Sequence, residues 1–215
     1  MPGLFVTFEG VEGSGKSSRC RILIQALQAV GYEVVFTREP GGPDVSEKIR
    51  SLLLNPELDV PPLSELMLYF ASRAANVERI ILPALKAGGI VLCDRFSDAT
   101  FAYQGWGRGL PVEEMRKVNT LATGGLAPDL TVLMDLDPEE GFRRMNLSGR
   151  KLDRIEKEHL SFHRKVRVGY LALAEEEPER FLVVDGMLEE QKQDSVILKE
   201  VLRRLPTEDR RVIDI

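Results

Sequence analysis

The sequence predicts an α/β fold: a parallel β-sheet with helices on both faces. Two observations carry this. Five short runs rich in Val, Ile, Leu and Phe are separated by longer stretches of helical period. None of the runs alternates with polar residues, which is how strands covered on both faces read. Strands separated by helices need right-handed crossovers, and these generate a parallel sheet.

Residues 4–8 form the first expected strand. Leu23, Ala26, Leu27 and Val30 then repeat at i, i+3, i+4 and i+7, and Gly31 supplies a helix stop. Residues 34–36 are the second strand. After Pro43, Val45, Ile49, Leu52 and Leu53 repeat with helical period. Ser64 is expected to cap a long helical segment reaching Lys86 and ending at Gly88-Gly89, with a kink or restart at Pro83. Residues 90–93, 131–134 and 181–184 complete the strands. Residues 206–215 are charged and aperiodic, and the chain has no internal repeat or low-complexity tract.

The chain has 215 residues, which suits one domain over 1–215, and 43% hydrophobic content suffices for a sizeable core. A net charge of −5 argues against general binding of nucleic acid or anionic membrane. No apolar run reaches 18 residues, and Met1-Pro2-Gly3 lacks the basic flank of a signal peptide. Cys20 and Cys93 read as buried thiols, so the expected compartment is the cytoplasm. One segment departs from the acidic balance. Between positions 143 and 154, Arg143, Arg144, Arg150, Lys151 and Arg154 face Asp153 alone, a pattern that suits either a solvated helix face or an anionic partner.

Gly10-Val11-Glu12-Gly13-Ser14-Gly15-Lys16-Ser17 fits GxxxxGK[ST] at every fixed position. It follows an expected strand and opens an expected helix, as phosphate binding requires. Its glycines let backbone N–H groups converge on phosphate oxygens at a helix N-terminus. Lys16 is expected to reach the β- and γ-phosphates and Ser17 to ligate Mg²⁺, with Ser18 continuing the ATP site. GTPase, ABC-ATPase and motor motifs are missing; Leu147-Ser148-Gly149 continues with Arg150-Lys151. A small phosphotransferase of nucleoside-monophosphate-kinase type remains. It needs a second anion site and a lid that excludes water. Arg38 and Arg95, at the ends of the second and third strands, are candidates to clamp a phosphate. Asp94 stands where a carboxylate holds the magnesium water shell.

Five further strings, in order and spacing, resemble the thymidylate kinase family. They are Thr37-Arg38-Glu39-Pro40-Gly41-Gly42, Phe70-Ala71-Ser72-Arg73, Asp94-Arg95-Phe96, Ala102-Tyr103-Gln104-Gly105 with Gly107-Arg108-Gly109, and Leu152-Asp153-Arg154-Ile155-Glu156. With the phosphate loop, the resemblance spans at least positions 5–185. The resemblance implies a five-stranded sheet of order 2-3-1-4-5, a homodimer, and transfer from ATP to dTMP on the route to dTTP. It implies that Arg38 and Arg95 contact the dTMP phosphate, that Phe70 stacks on thymine and that Arg73 donates to its O4. Thr100 and Gln104 would line the base, Tyr103 would lie under the deoxyribose, and Glu12 would stand near the sugar 3′-hydroxyl. Arg150 resembles the lid arginine of a bacterial subgroup, within a lid at about 143–157. Phe96 and Ala99 depart from the commoner Tyr or His and Ser.

The residues agree with this resemblance in part. Phe70 and Arg73 are i, i+3 on one helix and share a face, although a lone Phe on an apolar helix is more often core. His159 and His163 are i, i+4, but no third metal ligand is evident. Trp106 sits in a glycine-rich loop, as either a nucleoside cover or a packing residue. The acceptor is a phosphate monoester whose oxygen is already anionic, so no strong base is needed. Lys16, Mg²⁺, Arg38 and Arg95 would neutralise ground-state charge. Arg150, with Arg143 or Arg144, would follow the migrating phosphoryl group, and one of the latter two would suit adenine stacking. A kinase for another nucleotide and a non-catalytic nucleotide-binding regulator are the rival readings.

Overall fold

The computed structural model describes residues 3–147 and 151–205. Strand β1 (Leu4–Glu9) runs through the centre, and every residue of it is buried. Helix α1 (Lys16–Ala29) follows and buries Leu23 and Leu27 against the sheet. Strand β2 (Val34–Arg38) precedes helices α2 (Asp44–Leu54) and α3 (Pro62–Asn76). A π-helical stretch, Val77–Ile81, then leads into α4 (Leu82–Lys86) and strand β3 (Ile90–Asp94). The short helix α5 (Ser97–Thr100), a second π-helical stretch (Phe101–Gly107) and α6 (Val112–Thr123) come next. Strand β4 (Leu130–Asp135), α7 (Pro138–Leu147), α8 (Leu160–Glu176), β5 (Phe181–Asp185) and α9 (Glu190–Arg204) complete the order.

All four strand pairings are parallel, and the order is β2-β3-β1-β4-β5, as expected. Each strand runs one or two residues past its last expected position. The added residues are polar, and they place Glu9, Arg38, Asp94, Asp135 and Asp185 at the carboxyl edge. Complete burial on both faces holds for β1 and for all but the last residue of β3 and of β4. It does not hold for the outer strands, where Phe36 and Val183 are exposed, because an edge strand lacks one neighbour.

Other expectations need correction. Ser64 lies inside α3; Pro61 is the N-cap and Pro62 opens the helix, where a missing N–H costs nothing. Pro83, as expected, restarts the helix, here through a π-helical turn in which the Leu82 N–H reaches back five residues to the Val77 carbonyl. The α2 stripe is split: Leu53 is fully buried, while Val45 and Leu52 face outward. Trp106 lies on the second π-helical stretch and not in a loop. A Cβ on Gly169 would come within 2.8 Å of its ring, so Trp106 packs flat on α8. No helix among the described residues is long and apolar enough to cross a membrane.

Candidate active site

The phosphate loop joins β1 to α1 through left-handed glycines. Gly15, at φ 89°, is the N-cap of α1 and offers no side-chain cap, so the first N–H groups of the helix stay open for an anion. Gly13 (φ 71°) is required by close approach as well, since a Cβ there would meet the Gly141 carbonyl oxygen at 2.3 Å. The Lys16 ammonium donates to the Val11 carbonyl at 3.4 Å. Burial and the nearby Arg95 lower its pKa, against Asp94, Glu12 and Glu9. Ser17 Oγ donates to Asp94 Oδ2 at 2.5 Å. These two hard oxygen donors suit Mg²⁺, which keeps several waters and phosphate oxygens. No cluster of three His, Cys, Asp or Glu able to hold a metal occurs among the described residues.

A cleft of about 670 Å³ opens beside this loop. Its wall contains Glu12, Gly13, Gly15, Lys16, Ser17, Ser18, Arg38, Arg73, Asp94, Arg95, Thr100, Tyr103 and Gln104. Gly10, Val11 and Ser14 of the loop are buried and lie off this wall. Arg95 has φ 71°, a left-handed conformation rare for a side-chain-bearing residue and common at functional positions. Its NH2 donates to Glu12 Oε1 at 2.8 Å and its NH1 to Tyr170 Oη at 3.0 Å. Burial would lower the pKa of Arg95, but Tyr103, Tyr170, Glu12 and Glu9 hold it well above its ordinary value. Glu12 also accepts from Tyr103 Oη. Burial would raise its pKa; Arg95, His163 and Lys16 keep it well below the carboxylate range. Beneath them Glu9 accepts from the Phe96 N–H and from Tyr170 Oη. Burial and Asp98 push its pKa up to about 8.

The far end of the cleft is a buried polar pocket. Arg73 donates through Nε to Glu39, through NH1 to Asn119, and through NH2 to the Phe96 carbonyl and Thr100 Oγ1. A guanidinium has five N–H groups, so one on NH1 remains. Gln104 Nε2 donates to Glu65 Oε1 at 2.8 Å, which leaves its Oε1 as an acceptor. Glu65 is fully buried and also accepts from Arg108 and Arg154. Burial would raise its pKa, but hydrogen bonds from Arg108, Gln104 and Arg154 hold it lower.

Three placements differ from the sequence expectation. Phe70 is buried in the core and is not on the cleft wall; Tyr69, one residue earlier, is. Arg143 and Arg144 lie off the cleft wall, where both pair with Glu140. Arg144 also donates to the Gly186 carbonyl. Arg150 falls outside the described residues. Arg50, missed in the sequence, lines the cleft and donates to the Pro40 carbonyl. Its signal was a basic residue ending the turn of α2 that faces Arg38. Asp153 and Glu156 line the cleft too, and an Asx turn at Asp153 shapes the return from the expected lid.

Comparison with known proteins agrees over nearly the whole chain. The family model described as thymidylate kinase matches residues 8–197. A thymidylate kinase of Pelobacter propionicus is 50% identical over 207 residues, covering 94% of each chain. One of Caldanaerobacter subterraneus subsp. tengcongensis is 46% identical over 201 residues, covering 94% of this chain and 96% of its own. The crystal structure of thymidylate kinase from Ehrlichia chaffeensis superposes with a TM-score of 0.77 at 31% identity, over 94% of this chain and 99% of that one. A phosphate loop facing an arginine-lined acceptor cleft, together with this breadth of similarity, has one reading: the chain belongs to the thymidylate kinase family.

Proposed function

We infer that the chain transfers the γ-phosphoryl group of ATP to dTMP, giving dTDP and ADP on the route to dTTP. One observation carries the reading. A single cleft joins Lys16 and the open N-terminus of α1 to Arg38 and Arg95, and then to a pocket where Arg73 keeps a spare N–H donor and Gln104 a spare amide oxygen. Thymine presents an acceptor at O4 and a donor at N3. In this reading Arg73 NH1 serves O4 and Gln104 Oε1 serves N3–H, with Thr100 holding the guanidinium. Tyr69, in place of Phe70, faces the ring; it is i, i+4 from Arg73. Tyr103 supports the deoxyribose, and Glu12 accepts from its 3′-hydroxyl.

The dTMP phosphate is already a nucleophile, so the chain's work is to bring two anions together in line. Arg38, Arg95 and Arg50 offset charge on the acceptor, and Lys16 offsets it on the donor. Mg²⁺, held through Ser17 and Asp94, neutralises phosphate charge when bound. Arg150, Arg143 and Arg144 serve as the lid arginines over 143–157, and one of Arg143 and Arg144 stacks on adenine. The assembly is a homodimer, supported by exposed Val45 and Leu52 on α2 and Leu63 and Met67 on the adjacent α3. The buried free thiols of Cys20 and Cys93 suit the cytoplasm. A coupled assay of ADP formation with dTMP, dUMP, dCMP, dGMP and AMP tests the reading. The expected order is dTMP, then dUMP, then dCMP far below, with purines inert. Comparable rates with dCMP would overturn it.

A further inference from the structure

The histidine pair on α8 separates in space. His159 is the exposed N-cap of the helix, whereas His163 is 1% exposed behind the phosphate loop. Its ring stands edge-on to Phe142 of α7 at 4.9 Å and to Phe162 at 5.3 Å. A phenylalanine would satisfy that packing. The imidazole instead brings Nδ1 to 3.2 Å from Glu12 Oε2, off the line of a fully formed hydrogen bond, and leaves Nε2 without a partner among the described residues. A proton on Nε2 would be buried with no acceptor, so the proton belongs on Nδ1, facing Glu12.

Glu12 is held from several directions. A Cβ on Gly141 of α7 would meet its carbonyl oxygen at 2.2 Å, so its main chain is pressed against that helix. Of its carboxylate oxygens, Oε1 takes Arg95 NH2 and lies 2.6 Å from Tyr103 Oη. Oε2 lies 2.7 Å from the same hydroxyl. Tyr103 has one proton and serves one oxygen at a time. His163 is the second group able to donate to Oε2 among the described residues.

We propose that His163 is a positioning residue for the acceptor sugar: its Nδ1–H holds Glu12 Oε2, so that the carboxylate keeps the orientation that accepts the nucleotide 3′-hydroxyl. This rests on the reading of Glu12 given above. Without the imidazole, Arg95 still holds the charge, but the Tyr103 proton is free to move between the two oxygens and the carboxylate turns. The loss falls on acceptor binding and on recognition of the 3′-hydroxyl. Phosphoryl transfer itself, which runs through Lys16 and the arginines, is left in place.

The test compares dTMP with 3′-deoxythymidine monophosphate in wild type, His163→Asn and His163→Phe. Asparagine retains a donor near Nδ1; phenylalanine retains the ring and removes the donor. Wild type and His163→Asn are expected to prefer dTMP to the same degree. His163→Phe should raise the KM for dTMP about fivefold, in line with one lost hydrogen bond, with kcat within about twofold. The KM for the 3′-deoxy acceptor should not move, so the preference collapses. A preference that survives His163→Phe, or an equal loss on both acceptors, overturns the proposal. A wild type that makes dTDP without preferring dTMP instead refutes the reading of Glu12, and with it the role of His163. An independent check needs no variant. The chain has two histidines, and ring nitrogen–proton couplings by NMR should show His163 protonated on Nδ1 with Nε2 bare. An Nε2-protonated ring also overturns the proposal.

Discussion

The base end of the cleft and the exposed arginines of α7 are built in opposite ways. At the base end, Arg73 is 1% exposed and four of its N–H groups are committed to fixed partners. Glu65 is fully buried under Gln104, Arg108 and Arg154. On α7, off the cleft wall, Arg143 is 63% exposed and, with Arg144, turns back onto Glu140. A buried charge stripped of its partner is costly, while an exposed pair exchanges partners at little cost. The pocket around Arg73 and Glu65 is therefore set when the chain folds, whereas the α7 arginines can be redirected.

The largest test strikes the phosphate end. Lys16→Ala should fold, because the side chain makes one long contact to the Val11 carbonyl. It should cut kcat by at least about 10²–10³, as loss of an oxyanion-type stabiliser does. Near-normal turnover in the folded variant would remove the loop from the mechanism. Arg73→Ala is next and probes the pre-built end. It strips buried Glu39 of its ion-pair partner and should lower stability; in the folded variant it should weaken dTMP and dUMP together by about 1–3 kcal/mol relative to dCMP, narrowing the gap. An unchanged dUMP-to-dCMP ratio would mean that the fixed guanidinium does not read the base.

The third test concerns the buried carboxylate between the two ends. Glu9 is raised from 4.5 to about 8. Between those values the unfolded chain has released a proton that the folded chain keeps. Stability should therefore fall as pH rises from about 4.5 to 8, by at most about 1.4 kcal/mol per unit, and level off above. Chemical denaturation of Glu9→Gln across this range should show a flatter profile than wild type, and parallel profiles would refute the assignment. The smallest effect is expected at the exposed pair. Glu140→Gln frees Arg143 and Arg144 and should change the KM for ATP by no more than about two- to fivefold. A larger change would show that the α7 arginines are as tightly wired as the base pocket.

Where the sequence reading missed, the cause is rotation about a helix. Tyr69 and Phe70 are neighbours, about 100° apart around the axis, and both are aromatic. Position i+4 lies about 40° from i, closer than i+3, so Tyr69 and Arg73 share the cleft face more nearly than Phe70 and Arg73 do. Nothing in composition separates the two rings; packing of Phe70 into the core does. His163 was legible only as half of a helical pair, since its partner Glu12 is about 150 positions away. The same holds for the α2 stripe, whose period marks a helix but not which of its apolar residues meets the sheet.

By itself the sequence determined the sheet and the chemistry of the phosphate loop. Continuous apolar runs can be satisfied only by strands covered on both faces, and GxxxxGK[ST] acts through backbone geometry that a local string specifies. Arg38, Asp94 and Arg95 were legible for the same reason, because strand ends in such a sheet converge on one edge. Tertiary structure alone decided the spare donor on Arg73, the spare acceptor on Gln104, the burial of Glu65 and the pairing of His163 with Glu12. Each depends on which groups from distant segments share a buried pocket, where most polar atoms find a partner and a few are left over, and that count exists only after the chain has packed.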